Sequence, residues 1–427
     1  MNLEAVSTLT ELQKWMMLNR ASNKAIYLIG GLMFLGLIMV LLTKRIRMPI
    51  IVGYVFLGIF LSVSLVERLP FLTEVQKEWY AYTISSFDYV GDLALSFIAF
   101  TIGTELSIKM FKNFGKTIFW IVIIQALAAF ILVTSGILLL GQPIYVALIF
   151  GGLATASAPG STVMVLQEYN AQGILTSMIM AVVGLGDAAA LIIFSLVKPI
   201  ALIKYSGVGE ISFSNVILFP MVEIVGSAIL GLLLGYISQR FMVSLHDKTK
   251  KVLTLVATIF GATASATLLH LSPLLTNMAV GFAYQNFARK NLEISAEQET
   301  LSIPLYAMFF ILVGTKIKLS TLTSGVFLLV ALVYTLSRVS GKIGGSYLGA
   351  WLGGAQEKIK KHIGMGLLSQ SGLSLALAYR VQQDFADDPR VGLLIFNIIL
   401  FASILSEVYG PLSTKHAITK VEEANVQ

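Results

Sequence analysis

The sequence predicts an all-α integral membrane protein with about 13 transmembrane helices, and three features of its 427 residues carry that expectation. The chain is 56% hydrophobic and 12% charged, where a soluble domain carries roughly 25% charged residues. Apolar runs long enough to cross a bilayer, about 20 residues each, recur almost from end to end with short polar joints between them. The Lys and Arg stand in small clusters at the ends of those runs, so the net charge of +7 belongs to topology and not to a nucleic-acid surface.

Residues 1–24 carry Lys14, Arg20 and Lys24 and read as a short interfacial helix bearing Leu9, Leu12 and Trp15. The apolar stretch that follows is too long for a signal core and leads into Lys44, Arg45 and Arg47, so it is expected to be the first retained span. Thirteen spans are expected at 25–43, 48–66, 89–108, 117–140, 143–167, 173–197, 215–238, 252–269, 273–288, 301–315, 322–350, 363–381 and 391–412, with a tail at 413–427. An odd number puts the termini on opposite sides. Seventeen basic residues then group with the C-terminal side and eleven with the other, which sets the N-terminus outside and the C-terminus in the cytoplasm of a multi-pass cell (inner) membrane protein.

Thirteen spans divide into six, one linker and six, an inverted repeat. Span five contains the run from Gly151 through Thr155, Ser157 and Pro159 to Thr162, where Pro and Gly must open the helix and free its carbonyls. Span twelve, fifth in the second half, contains Gly366, Ser369, Gln370, Ser371 and Gly372. Small residues in mid-span also serve close helix packing. Two interruptions in register favour a crossing pair of broken helices that turns half-helix ends and free carbonyls toward a small ion.

Ionisable groups inside the bilayer cost several kcal/mol and each needs a reason. Asp187, mid-way along span six, has no charged neighbour for ten positions on either side and is the leading ion and proton ligand; a structural Asp paired to a neighbouring helix is the competing reading. Arg338 and Lys342 lie four apart on one face of span eleven and need anions or helix C-termini opposite them; they read as counter-charge to Asp187 or, for Lys342, as a snorkelling side chain. Glu105, Glu223 and Glu407 lie near interfaces or polar joints and are weaker; Glu223 is offered as a partner for Arg338. Desolvation favours the neutral form of any carboxylate, so H⁺ and a metal cation can compete for one buried site, and that competition is the coupling of an exchanger. A single carboxylate carrying either ion makes the exchange electroneutral. With no cysteine, four scattered His and no nucleophile–base pair, neither an enzyme nor a cofactor is expected; the partners expected are a monovalent cation, a proton and the lipid bilayer.

At these residues the chain resembles the monovalent cation:proton antiporter superfamily, nearest the bacterial branch with Kef-type and Nap-type exchangers. The likeness rests on Lys44–Tyr54 with Pro49 and Gly53, Thr101–Leu106, Ala154–Pro159, Glu168 with Gly173, Asp187, Phe309–Gly314, and Arg338 with Lys342. The resemblance implies a homodimer whose contact is made by helices 1–3 (25–108) and 8–10 (252–315). It also implies a mobile six-helix core, helices 4–6 (117–197) and 11–13 (322–412), joined by linker helix 7 (215–238) and working as an elevator. It assigns Na⁺ or K⁺ and H⁺ to Asp187, with Thr155, Ser157 and span-five carbonyls as further ligands, and Arg338, Lys342, Pro159 and Gln370 in support. Two departures stand out. Gly186 occupies a position where the family carries Asp or Asn, and Ala158 one where many members carry an acid; both argue for one proton per cation. A sodium-coupled organic-anion symporter of similar fold and a non-transporting sensor are the rival readings.

Overall fold

The computed structural model describes residues 27, 29–43, 45, 50–70, 72–106, 108–207, 218–245, 247–287, 295–317, 325–370, 372–385 and 388–424. The expected interfacial helix at 1–24 and Ser371 lie outside these residues. Every regular element described is helical: α1 (Ile29–Thr43), α2 (Ile50–Phe60), α3 (Val63–Val66), α4 (Glu74–Ser86), α5 (Asp88–Glu105), α6 (Ile108–Leu139), α7 (Ile144–Ala154), α8 (Pro159–Glu168) and α9 (Ile174–Ser206). There follow α10 (Phe219–Val243), α11 (Lys248–Leu268), α12 (Pro273–Phe287), α13 (Ser295–Thr315), α14 (Gly325–Leu352), α15 (Glu357–His362), a 3-10 turn (Ile363–Leu367), α16 (Gly372–Asp384) and α17 (Pro389–Lys420). Described helix overlaps each expected span, and among the described residues seven helical stretches are long and apolar enough to cross a membrane.

Two differences from the expectation have simple causes. Helix α4 was not expected, because Glu74, Lys77 and Glu78 break up any apolar run there. Helix α9 runs to Ser206 instead of ending near 197: Lys198, which looked like a terminus, pairs with Asp384 at 2.7 Å, and Pro199 is tolerated inside the helix.

The chain divides into two compact units. The first, Met1–Ala94 with Ile303–Lys318, is joined where α2 crosses the second half of α13. A Cβ on Gly58 would stand 2.1 Å from the Ile311 carbonyl oxygen, and one on Gly314 would stand 2.4 Å from that of Val55. These backbones touch because neither residue has a side chain.

The second unit holds the remaining helices and the candidate site. Its central pair is α6 against α14, and its logic is a glycine every fourth residue. Added Cβ atoms at Gly341, Gly345, Gly349 and Gly353 would lie 2.6, 2.7, 2.6 and 2.5 Å from the Cα atoms of Ala129, Gln125, Ile121 and Thr117. The spacing of four puts Gly341, Gly345 and Gly349 on one face of α14, and Gly353 continues the row just past its end. Lipid tails are as apolar as leucine, so helices in a bilayer gain little from hiding apolar surface and much from close backbone approach. The same device joins α10 to α12 through Gly231, whose Cβ would come 2.2 Å from the Thr276 carbonyl. A fully packed apolar cluster, including Ile121, Leu166, Ile179, Ile363 and Ile418, ties α6, α8, α9, the 3-10 turn and α17 together.

Candidate ion-binding site

The site is built on two interruptions. Between α7 and α8 the chain leaves helix at Thr155 and resumes at Pro159, which occupies the first turn of α8, where its missing N–H costs nothing. Between the 3-10 turn and α16, Leu368, Ser369 and Gln370 run without helix. The two interruptions meet directly, the Ala158 N–H donating to the Ser369 carbonyl at 2.9 Å. Thr162 adds a hydroxyl bond to the Gly366 carbonyl at 3.1 Å.

Half-helices that end inside a protein leave carbonyls without partners and a partial negative charge at their C-terminal ends. Arg338 and Lys342, both fully buried on α14, supply what those ends lack. The Arg338 guanidinium donates from Nη1 to the Leu368 carbonyl at 2.7 Å, and from Nη2 to the carbonyls of Ala156 at 2.9 Å and Ser369 at 3.2 Å. One side chain thus clamps both breaks. The Lys342 ammonium donates to the Thr155 carbonyl and, at 2.9 Å, to Ser157 Oγ.

Asp187 on α9 is 3% exposed. Its Oδ1 accepts the Ser157 N–H at 3.1 Å, a donor at the open side of the first break. Neither Arg338 nor Lys342 makes an ion pair with it; the Arg338 Nη1 and Nη2 and the Lys342 Nζ go to carbonyls and to Ser157 Oγ. Ser157 therefore stands between the ammonium and the carboxylate, binding one through its hydroxyl and the other through its N–H. Arg338 likewise binds three carbonyls and not the Glu223 carboxylate that the sequence offered.

The remaining predicted residues divide by role. Thr155 Oγ1 turns back to the Gly152 carbonyl at 2.7 Å and closes the end of α7. Gln370 is scaffolding for the second break. Its N–H donates to Ser406 Oγ at 2.9 Å, and its Nε2 donates to Tyr334 Oη at 2.7 Å and to the Leu153 carbonyl at 3.3 Å. Glu407 receives the Ser161 hydroxyl at 3.4 Å, and Glu105 lies against Gly184, its Oε2 3.8 Å from where a Cβ there would stand.

Sequence reasoning missed two buried side chains here. Tyr334 supports Gln370, and its phenol in an otherwise apolar stretch gave only a weak signal. Gln125 on α6 has an amide that reaches Gly186, beside Asp187. Its signal was present: it is the one amide in the apolar run from Ile118 to Val133.

The arrangement is that of a buried carboxylate at a crossing of broken helices whose carbonyl ends are already neutralised. Known proteins resemble the chain over most of its length. The Na(+)/H(+) antiporter NhaH of Halobacillus dabanensis is 23% identical over 389 residues, which is 88% of this chain and 93% of that protein. NhaH of Halobacillus aidingensis is 22% identical over 387 residues, with the same coverage of 88% and 93%. The structure of the sodium proton antiporter MjNhaP1 from Methanocaldococcus jannaschii at pH 8 has the same fold, with a TM-score of 0.75 at 19% identity over 93% of this chain and 99% of that one. The family model for "Sodium/hydrogen exchanger, transmembrane" matches residues 31–413, α1 to most of α17. The chain therefore belongs to the transmembrane sodium/hydrogen exchanger family, within the monovalent cation:proton antiporter superfamily, whose members are transporters and not enzymes.

Proposed function

We propose that this protein exchanges a monovalent cation, Na⁺ or K⁺, for H⁺ across the membrane, with Asp187 holding one or the other in turn. One observation carries the reading: Asp187 is buried at 3% exposure, yet the two cationic side chains nearest the breaks are committed to backbone carbonyls. A carboxylate sealed from water without a direct ion pair is costly. A proton or a small cation removes that cost, and each excludes the other. The cation gains an anionic ligand that Ser157 holds in place through its N–H; the proton gains the same carboxylate.

One carboxylate moves the same charge in both half-cycles, so the exchange is one to one and electroneutral. Helices at 117–197 and 322–412 carry both breaks and Asp187. They move as a unit against the helices of a homodimer contact at 25–108 and 252–315, an elevator that exposes the site to either side in turn. The Arg338 clamp suits such motion, because it holds the two breaks to one another.

The test is dissipation of a preset pH gradient in proteoliposomes on adding Na⁺, K⁺ or Li⁺. Wild type should respond to at least one of Na⁺ and K⁺, and Asp187→Asn to none. A wild type that responds to no cation, or an Asp187→Asn that keeps its rate, removes the reading.

A further inference from the structure

Gln125 is fully buried, and neither its Nε2 nor its Oε1 has a hydrogen-bond partner. Buried amides almost always find partners, since each unmade bond costs the full loss of hydration. Packing does not require this amide. The contact between α6 and α14 at this level is made by the Gln125 Cα, 2.7 Å from where a Cβ on Gly345 would stand. The rest of the run from Ile118 to Val133 is apolar, so an apolar residue would serve the helix equally well.

The amide is aimed at α9. A Cβ built on Gly186 would lie 3.8 Å from Gln125 Nε2 and 3.8 Å from Ser157 Oγ, with nothing else within 4 Å. The next residue is Asp187, whose carboxylate accepts the Ser157 N–H. An unpartnered amide, the open side of the first break and the carboxylate therefore converge on one face of α9, where glycine leaves room for a group arriving from another helix.

We propose that Gln125 is a ligand of the transported monovalent cation, giving its carboxamide oxygen to the ion that Asp187 holds. This rests on the exchange reading above and deepens it. Small hard cations shed water for carboxylate and carbonyl oxygens. The hydroxyl of Thr155 is already engaged with the Gly152 carbonyl, and that of Ser157 with Lys342 and the Leu367 carbonyl. A half-turn about the last bond of Gln125 exchanges Nε2 with Oε1, so the side chain turns oxygen to the cation and N–H to the carboxylate once the cation has left. An amide adds an oxygen without adding charge, which leaves one positive charge per Asp187.

The test compares wild type with Gln125→Met, which keeps the length of the side chain and removes the amide. In proteoliposomes the apparent KM for Na⁺ should rise about tenfold or more, in the range seen when groups that tune a metal site are lost. The melting temperature of the purified protein in detergent should stay the same or increase, because an unpartnered amide leaves the interior. A residue that merely supports the fold would give the opposite pair. In Gln125→Ala/Gly186→Asn the amide returns from position 186, and the KM should recover to within about threefold of wild type; a KM left at the Gln125→Ala value overturns the idea that the two positions serve one ion. Wild-type exchange with an unchanged Na⁺ KM in Gln125→Met overturns the inference alone, whereas a wild type that exchanges neither Na⁺ nor K⁺ overturns the exchange reading and this inference with it.

Discussion

The break between α7 and α8 and the break before α16 touch one another, yet their free groups go to different uses. The first sends its Thr155 and Ala156 carbonyls to Lys342 and Arg338 and its Ser157 N–H to Asp187. The second sends the Leu368 and Ser369 carbonyls to the same Arg338, accepts the Ala158 N–H, and spends Gln370 on Tyr334 and Ser406. Thus the first break faces Asp187 and the second holds the first in place. Two interruptions of like kind carry unlike chemistry, and the arginine common to both holds them together.

If that division is right, removing the shared group should do the most damage. Arg338→Met strands the buried Leu368 and Ala156 carbonyls, one at each break, and should cost about 3 kcal/mol or more, with exchange abolished. Reversible unfolding in detergent measures it, and a loss under about 1 kcal/mol would mean that the clamp is not what joins the breaks. Lys342→Met touches the first break alone, releasing the Thr155 carbonyl and Ser157 Oγ. It should cost about 1.5–3 kcal/mol, and, since Ser157 also binds Asp187, it should change the apparent Na⁺ KM as well.

Gln370→Leu perturbs only the second break. A stability loss of about 1 kcal/mol is expected, with the Na⁺ KM within about twofold of wild type; a KM shift as large as that of Lys342→Met would erase the distinction between the breaks. The smallest effect should come from outside both. The Glu423 carboxylate caps the start of α9, accepting the N–H groups of Leu175 at 2.8 Å and Thr176 at 2.7 Å. Glu423→Gln should lower the melting temperature by the equivalent of about 0.5–1 kcal/mol without moving the KM.

Much of this site was legible in the sequence because its cues are expensive residues in an apolar setting. Asp187 alone in its span, Pro159 in mid-run, and Arg338 four residues from Lys342 each needed explaining before any coordinates. What the two cations bind was legible only in kind, as anions or helix C-termini. Their partners are peptide carbonyls at 155, 156, 368 and 369, and a carbonyl has no letter in a sequence, so which helix ends they meet could not be read. Gln125 was passed over for a related reason: an uncharged amide draws less notice than a charge, although burying it without partners is also costly. The glycines at 341, 345, 349 and 353 were visible as spacing, but periodicity names a face of α14 and not the helix that covers it. The fold as a whole was easier, since bilayer thickness sets the length of each apolar run. It failed at α4, whose charges interrupt any such run, and at the end of α9, where Lys198 has a partner that only folding supplies.

The central claim is that one carboxylate serves both ions, and the dependence of the Na⁺ KM on pH tests it most directly. In wild-type proteoliposomes, where the proton competes for Asp187, the apparent KM should rise tenfold for each unit fall in pH while the maximal rate stays constant, and clamping the membrane potential should change neither. A KM independent of pH across that range, or a rate that follows the potential, would mean that proton and cation are carried at different groups and would contradict the account.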